Sequence, residues 1–369
     1  MKTISHPKEI LHEKEVDMIR RNTFVMEKNA GLNEEVLSLI YENKWLRLLI
    51  PKVCDGLEWD LPKVVTLLEA LAWADGNVGW CVNLGAGANM FAGYFSKNIA
   101  QSIFNSSKVW CAGSGAITGT AKKTSGGYIV SGHWKYASGS LHATHFTGNA
   151  WLLNENNQHI QEDGEPVFRS LIFPMESVTI LDTWKVTGLK ATSSNDFKIK
   201  EAFVPEDHTF SLVRPSPFAR GSLYHFPFDA LAVINMACML TGIVLHFIDL
   251  FHELIQQKKP LYSDITLNKN EAVMSLLEET TDEFYIARRR MYEALETVWV
   301  ACENGNKPGQ YSLDSLVESS KAAAQMARKV IFKLYPICGM NIIFSNSKLN
   351  KVWRDMAVAS QHYLLSPLY

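Results

Sequence analysis

The sequence predicts an α+β protein, mainly helical, in which a β-rich middle segment separates two helical ones. Three observations carry this. Over residues 1–105 apolar side chains recur at three- and four-residue spacing. Over 106–215 they fall in short β-branched or aromatic runs punctuated by Gly, Asn, Asp and Pro. Over 216–369 long helical periods return. The expected layout is an N-terminal α domain (1–105), a middle antiparallel β-barrel domain (106–215) and a C-terminal four-helix bundle (216–369).

In the first segment Asn33 is placed to cap EEVLSLIYENKWLRLL, with Glu34 and Glu35 in the first turn, where the helix dipole favours acids. Pro51 is expected to end that helix. LPKVVTLLEALAWA has helical spacing, and GWCVNLGAGANMFAGYF is apolar all round and rich in small residues, as a closely packed buried helix would be. WCAGSG, GGYIVSGHWKYASG, HFTGNAWLL, FRSLIFP, VTILDTWKVTG and DFKIKEAFVP read as strands. Helical patterns follow at 225–257, 268–304, 312–336 and 345–362, with Asn304-Gly305-Asn306 and Pro308-Gly309 as punctuation. MACMLTGIVLHFIDLF and ARKVIFKLYPICGM are more apolar than one core stripe requires, which predicts a homo-oligomer.

Composition narrows the function. The 369 residues are 47% hydrophobic and 20% charged, with a net charge of -2, so no bulk electrostatic attraction draws the chain to nucleic acid or an anionic membrane. Arg288-Arg289-Arg290 lies in a helical pattern and reads as a solvated face or subunit contact. The cysteines at 54, 81, 111, 238, 302 and 338 form no C-x-x-C pair and read as small buried thiols in a reducing compartment. The start lacks the apolar stretch of a secretory signal. The longest apolar candidate, Ala230 to Leu250, is interrupted by Asn235, Thr241, Gly242, His246 and Asp249, so no membrane span is expected. The expected location is cytoplasmic. No histidine has metal-ligand spacing with a carboxylate, so no metal is expected.

The stretch GHWKYASG, residues 132–139, places two aromatics, a serine and two glycines between strands. That combination suits a flat ligand with a polar edge; the plainer alternative is an aromatic-rich strand and turn. Four motifs then carry a resemblance. They are LIPKVCDGLEWD followed by LAWADGNVGW; ITGTAKKTSGGYIVSGHWKYASG; DTWKVTGLKATSSNDFKIKEAFVP; and a late WRD at Trp353–Asp355. In this order they resemble the acyl-CoA dehydrogenase superfamily over nearly the whole chain, and most of all its flavin-dependent monooxygenase branch. The resemblance implies a flavin isoalloxazine as the flat ligand. It puts Tyr136 in the aromatic place, Ser138 near N5, and Gly139 where backbone approaches closely. Gly113, Ser114 and Gly115 stand where the dehydrogenases have a Thr-Glu-Pro element. Trp184 and the hydroxyls of Thr192, Ser193 and Ser194 complete the expected cofactor site.

For dehydrogenation the family needs a glutamate in one of two places. Here those places fall near Ala232, with Asp229 the only nearby acid, and at or beside Tyr363, with no acid after Asp355. His362 stands at the second place, where the monooxygenase branch has a histidine that can accept a phenol proton. His142 follows the turn, with His145 as a register rival and His225 a weaker candidate. Where the branch has another histidine after Gly-Trp, this chain has Asn89 or Ala88. The resemblance further implies reduced FAD or FMN supplied by a partner flavin reductase, a small-molecule substrate and a homotetramer. The Arg-x-x-Phe-Gly adenine contact is missing from HELIQQKKPLYSDITLNKNEAV. Two rivals are an acyl-CoA dehydrogenase or flavin oxidase acting on a CH–CH group, and a non-catalytic family member that binds no flavin.

Overall fold

The structure, a computed structural model, describes residues 5–366. Helices α1 (Glu13–Asn29), α2 (Glu34–Glu42), α3 (Leu61–Ala74), α4 (Gly76–Asn89) and α5 (Lys97–Ile103) come first. Strands β1 (Cys111–Thr124), β2 (Gly127–Ala137), β3 (His145–Leu153), β4 (Gln161–Glu162), β5 (Glu165–Pro166), β6 (Phe168–Pro174), β7 (Thr179–Leu181), β8 (Asn195–Pro205) and β9 (Thr209–Phe210) follow. Helices α6 (Ser222–His225), α7 (Phe228–Gln257), α8 (Glu271–Glu303), α9 (Gln310–Cys338) and α10 (Lys348–Ala359) complete the chain.

Asn33 caps α2 as expected, its side chain accepting from Val36 N at 3.3 Å. The helix ends earlier than the sequence predicts, at Glu42. The cause is Arg47. Its guanidinium is fully buried and donates to the carbonyls of Cys54, Asp55, Phe104 and Ser106, so the chain must leave the helix axis to deliver it. Lys44, in the left-handed region at φ 54°, makes that turn.

The middle segment corrects the expectation of a closed antiparallel barrel. The larger sheet runs β7-β8-β2-β1-β3-β6-β9, and among the described residues its edges do not pair. It is mixed, because β1 and β3 run parallel. The 138–144 turn carries the chain from β2 past β1 to its far side. The β1–β2 ladder pairs only Thr120–Thr124 with Gly127–Ser131; beyond it β1 stays with β3 and β2 with β8. Trp134 fills the fork. Side chains at Gly119, Gly132 and Gly148 would approach its ring to 2.2, 2.4 and 2.8 Å, and Trp134 stacks on Phe197 at 5.1 Å. The tryptophan of GHWKYASG is therefore core. The stretch VTILDTWKVTG forms a strand only at Thr179–Leu181.

Helix α7 runs through one core shared with α3, α4, α9 and α10. Contrary to the sequence reading, it is long and apolar enough to cross a membrane, but 94% of its most apolar window is buried in the protein. Of its polar interruptions, Thr241 donates to Glu69 at 2.6 Å; the Asn235 backbone carbonyl accepts from Asn83, while Asn235 Oδ1 is buried without a partner. The apolarity of α7 thus leaves no face for a partner. The end of α9 and the turn after it do, with Phe332, Met340, Ile343 and Phe344 exposed.

Candidate active site

The site forms where the end of β2 meets the loop from Leu189 to Asn195. Tyr136 and Gly139 both take positive φ, 68° and 77°, turning the chain sharply around Ser138. Gly139 N donates to the Thr192 carbonyl at 2.7 Å, and a side chain at Gly139 would fall 2.7 Å from Trp110 Nε1. The loop also bends through left-handed residues, Leu189 and Ser193.

Buried side chains from distant elements hold that loop. Asp355 accepts from Leu189 N at 2.6 Å, and Asn77 accepts from Ala191 N at 2.9 Å. Asn195 accepts from Thr183 N and Trp184 N and donates to Ser140 Oγ. Lys351, on α10, lies between Asp75 and Asp355, with Thr23 and Asn77 donating to the same Asp75 carboxylate. Burial alone would raise the Asp75 carboxyl, but the Lys351 ammonium and these donors hold it below the usual carboxylate range.

Thus held, the loop brings four polar side chains together. Ser138 Oγ lies 2.7 Å from Ser194 Oγ, and Ser194 Oγ lies 2.7 Å from Thr192 Oγ1. Thr192 Oγ1 donates to the Leu189 carbonyl at 2.8 Å. Trp80, on α4, donates its indole N–H to Ser138 Oγ at 3.1 Å. The Trp80 ring also meets the His362 ring edge-on, with centroids 5.9 Å apart. His362 Nδ1 is buried without a hydrogen-bond partner. Burial pushes the His362 pKa down to about 4, so the imidazole is neutral at pH 7.

A partly exposed, largely apolar strip continues from Trp80 along this side of the chain. Helix α4 is buried almost throughout, yet Leu84, Gly87 and Ala88, at the i, i+3, i+4 spacing of one face, are only partly so, as is Phe91 in the 3-10 turn that follows. A side chain at Gly87 would meet nothing within 4 Å. On α7, Phe228 and Ala232 are partly buried and Asp229 beside them is exposed, and Phe228 meets Phe91 at 5.3 Å. Burial first, and the Asp229 charge second, push Tyr94 up to about 12 and raise Tyr363. Asp229 is therefore in electrostatic reach of Tyr94, after α4, and of Tyr363 in the C-terminal turn.

The other expected residues are placed as follows. Tyr136 is 64% exposed and meets Trp184 edge-on at 6.2 Å. Trp184 donates to the Leu189 carbonyl, bracing the loop from outside. Ser194, and not Ser193, carries a hydroxyl into the cluster; the Ser193 Oγ is buried without a partner, because the left-handed backbone there turns it away. Gly113 packs against Thr147 with no room for a side chain, and Ser114 caps the bulge by accepting from Ala116 N. Asn89 is fully buried and braces backbone: it donates to the Leu46 and Val109 carbonyls and accepts from Cys111 N. His142 Nε2 accepts from Leu32 N at 3.1 Å and its ring lies against Trp110. The described side-chain contacts of both are with backbone and Trp110, none of them with Ser138 or His362. His145 bonds Thr144 at the start of β3, and His225 is exposed. Trp80, Asn77 and Asn195 were missed. The signal for Trp80 was an indole N–H in an otherwise apolar buried helix, which must find an acceptor.

Residues 234–367 match the family described as acyl-CoA dehydrogenase, C-terminal domain. That segment is similar to an acyl-CoA dehydrogenase C-terminal domain. A curated relative, indole-3-acetate monooxygenase of Acinetobacter baumannii, is 24% identical over 336 residues, covering 91% of this chain and 85% of its own. The oxygenase component of p-hydroxyphenylacetate 3-hydroxylase from the same species is 21% identical, covering 93% and 82%. Among solved structures, XiaF from Streptomyces sp. in complex with FADH2 and glycerol superposes with a TM-score of 0.87 at 22% identity, covering 97% of this chain and 91% of that one. The acyl-CoA dehydrogenase-like fold therefore extends over the described chain.

Proposed function

We propose that this chain is the oxygenase component of a flavin-dependent monooxygenase, which takes reduced FMN or FAD from a separate reductase and acts on a small organic substrate. The observation that carries the reading is the convergence of Ser138, Ser194, Thr192, Trp80 and neutral His362 beside an apolar strip. The named activities of the relatives support it. A flavin fits the donor set: Ser138 retains an unused lone pair, Tyr136 and Trp184 offer ring area, and His362 Nδ1 lacks a partner. When bound, the flavin supplies electrons and activates oxygen. The protein's share is to hold the flavin edge at Ser138, keep water from that edge with Leu84, Phe91 and Phe228, and accept a substrate proton at His362.

The test is stopped-flow mixing of anaerobically reduced FMN, then FAD, with oxygenated buffer. Slow reoxidation of protein-bound flavin is the expected outcome. Binding of neither flavin overturns the proposal. His362→Gln is expected to lower product formation by roughly 10²-fold or more while leaving flavin affinity unchanged.

One observation favours a second reading. Asp229 is a carboxylate whose charge reaches Tyr94 and Tyr363, near where a dehydrogenase would need its base. Acyl-CoA oxidation that Asp229→Asn abolishes would establish that reading. We also propose self-association, to a homotetramer, through the exposed Phe332, Met340, Ile343 and Phe344. A sedimentation profile showing only monomer at micromolar concentration would refute it.

A further inference from the structure

The hydroxyl chain beside Ser138 has a direction. A serine or threonine hydroxyl has one hydrogen to donate and two lone pairs to accept with. The Leu189 carbonyl can only accept, so Thr192 uses its one hydrogen there, at 2.8 Å. In the 2.7 Å contact between Thr192 and Ser194, Ser194 is then the donor. Ser194 has no second hydrogen, so in its 2.7 Å contact with Ser138 the donor is Ser138. Trp80 Nε1 can only donate, and it occupies one lone pair of Ser138. All three hydroxyls are buried, so water does not reset the order. Ser138 is left with one lone pair and no hydrogen for a ligand. It can only accept.

We propose that Thr192 and Ser194 are positioning residues that lock Ser138 as an acceptor, and that this makes the site prefer reduced over oxidised flavin. The inference rests on the flavin reading and on the flavin edge lying at Ser138. N5 of a reduced flavin carries a hydrogen and donates; N5 of an oxidised flavin has only a lone pair and accepts. An acceptor-only Ser138 satisfies the first and faces the second lone pair to lone pair, which leaves two buried polar atoms unpaired. The same chain would keep an oxygenase component from retaining spent flavin, so that reduced flavin from a reductase can replace it.

The test is a ratio of affinities. Dissociation constants for FMN are measured by anaerobic equilibrium dialysis, reduced and oxidised, on the full-length protein. Wild type is expected to favour reduced FMN at least tenfold, which for a two-electron couple moves the potential of bound FMN by about 30 mV per tenfold. Thr192→Val frees the Ser194 hydrogen to turn toward Ser138, and Ser138 can then donate to the site. Ser194→Ala removes the acceptor for the Ser138 hydrogen, with the same consequence. Both variants are expected to lower the ratio at least fivefold, and Thr192→Ser to restore it. A purely structural role would weaken both redox forms together and leave the ratio unchanged. A wild-type ratio near one, or an unaltered ratio in both variants, overturns the inference while the flavin reading stands. Failure of wild type to bind either form overturns both.

Discussion

The loop from Leu189 to Asn195 is gripped from two sides by two kinds of polar cluster. On one side Asp75, Lys351 and Asp355 are buried charges that pair with each other, take donors from Thr23 and Asn77, and reach the loop through its backbone at Leu189 N. On the other side Ser138, Ser194 and Thr192 are buried hydroxyls with no net charge, flanked by neutral His362. The difference is physical. Charges packed among donors resist movement, because separating them in a low dielectric is costly, and this suits a scaffold. Hydroxyls are weaker, but each can donate or accept, so the order of their neighbours sets which of the two they offer a ligand. The ionic side sets where the loop is; the hydroxyl side sets what it recognises.

The comparison breaks most sharply at Lys351. Lys351→Met removes the one cation between two buried carboxylates and leaves them facing each other. Removing one partner of a buried pair costs roughly 3–5 kcal/mol, so urea unfolding should show a loss of that order. Replacing Asp75, Lys351 and Asp355 together by apolar residues of similar size should recover much of the stability. It should not recover flavin binding, because Leu189 N loses its acceptor. If the triple variant binds flavin as wild type does, the ionic side is not what places the loop.

Acid probes the neutral side. Burial pushes both His142 and His362 down to about 4, against an ordinary value near 6.5 in the unfolded chain. The folded protein then binds fewer protons than the unfolded one between these values. The stability is present above pH 6.5 and is lost as pH falls toward 4. From pH 7 to pH 5 each histidine should account for ~2 kcal/mol of that loss. His142→Gln keeps an acceptor for Leu32 N and cannot charge, so its unfolding free energy should depend on pH less than wild type by about that amount. Equal slopes for the two proteins would show that His142 is not held neutral by the fold.

What could be read from the sequence was local. The Asn33 cap, the bounds of α3 and the Tyr136–Gly139 turn depend on neighbours within a few residues, and all three appear as expected. Ser194 was legible as one of three neighbouring hydroxyls, but one left-handed residue at 193 decides which of them faces Ser138. The sheet order was not legible, because the alternation of β1, β2 and β3 is the same whichever side of β1 the third strand takes. Nor were the roles of Trp80 and Asp355: the first reaches Ser138 across 58 residues of chain, the second reaches Leu189 across 166. Asn89 and His142 Nε2 lie in the expected neighbourhood but are already bonded to backbone, which spacing alone does not reveal.

The smallest effect separates recognition from scaffold at a single residue. Tyr136 belongs to the hydroxyl side, yet it contributes little to the core: its ring is 64% exposed, and its backbone is left-handed at φ 68°. A non-glycine residue in that region costs roughly 1–2 kcal/mol in backbone strain, and glycine does not. Against this, glycine loosens the unfolded chain by a few tenths to about 1 kcal/mol and gives up the edge contact with Trp184. Tyr136→Gly should therefore leave thermal stability within about 1 kcal/mol of wild type, on either side. If the ring lies against the flavin, reduced-FMN affinity should fall tenfold or more in the same variant. A stable Tyr136→Gly protein with undiminished affinity would remove Tyr136 from the site and leave its strained turn to be explained by the placement of Ser138 alone.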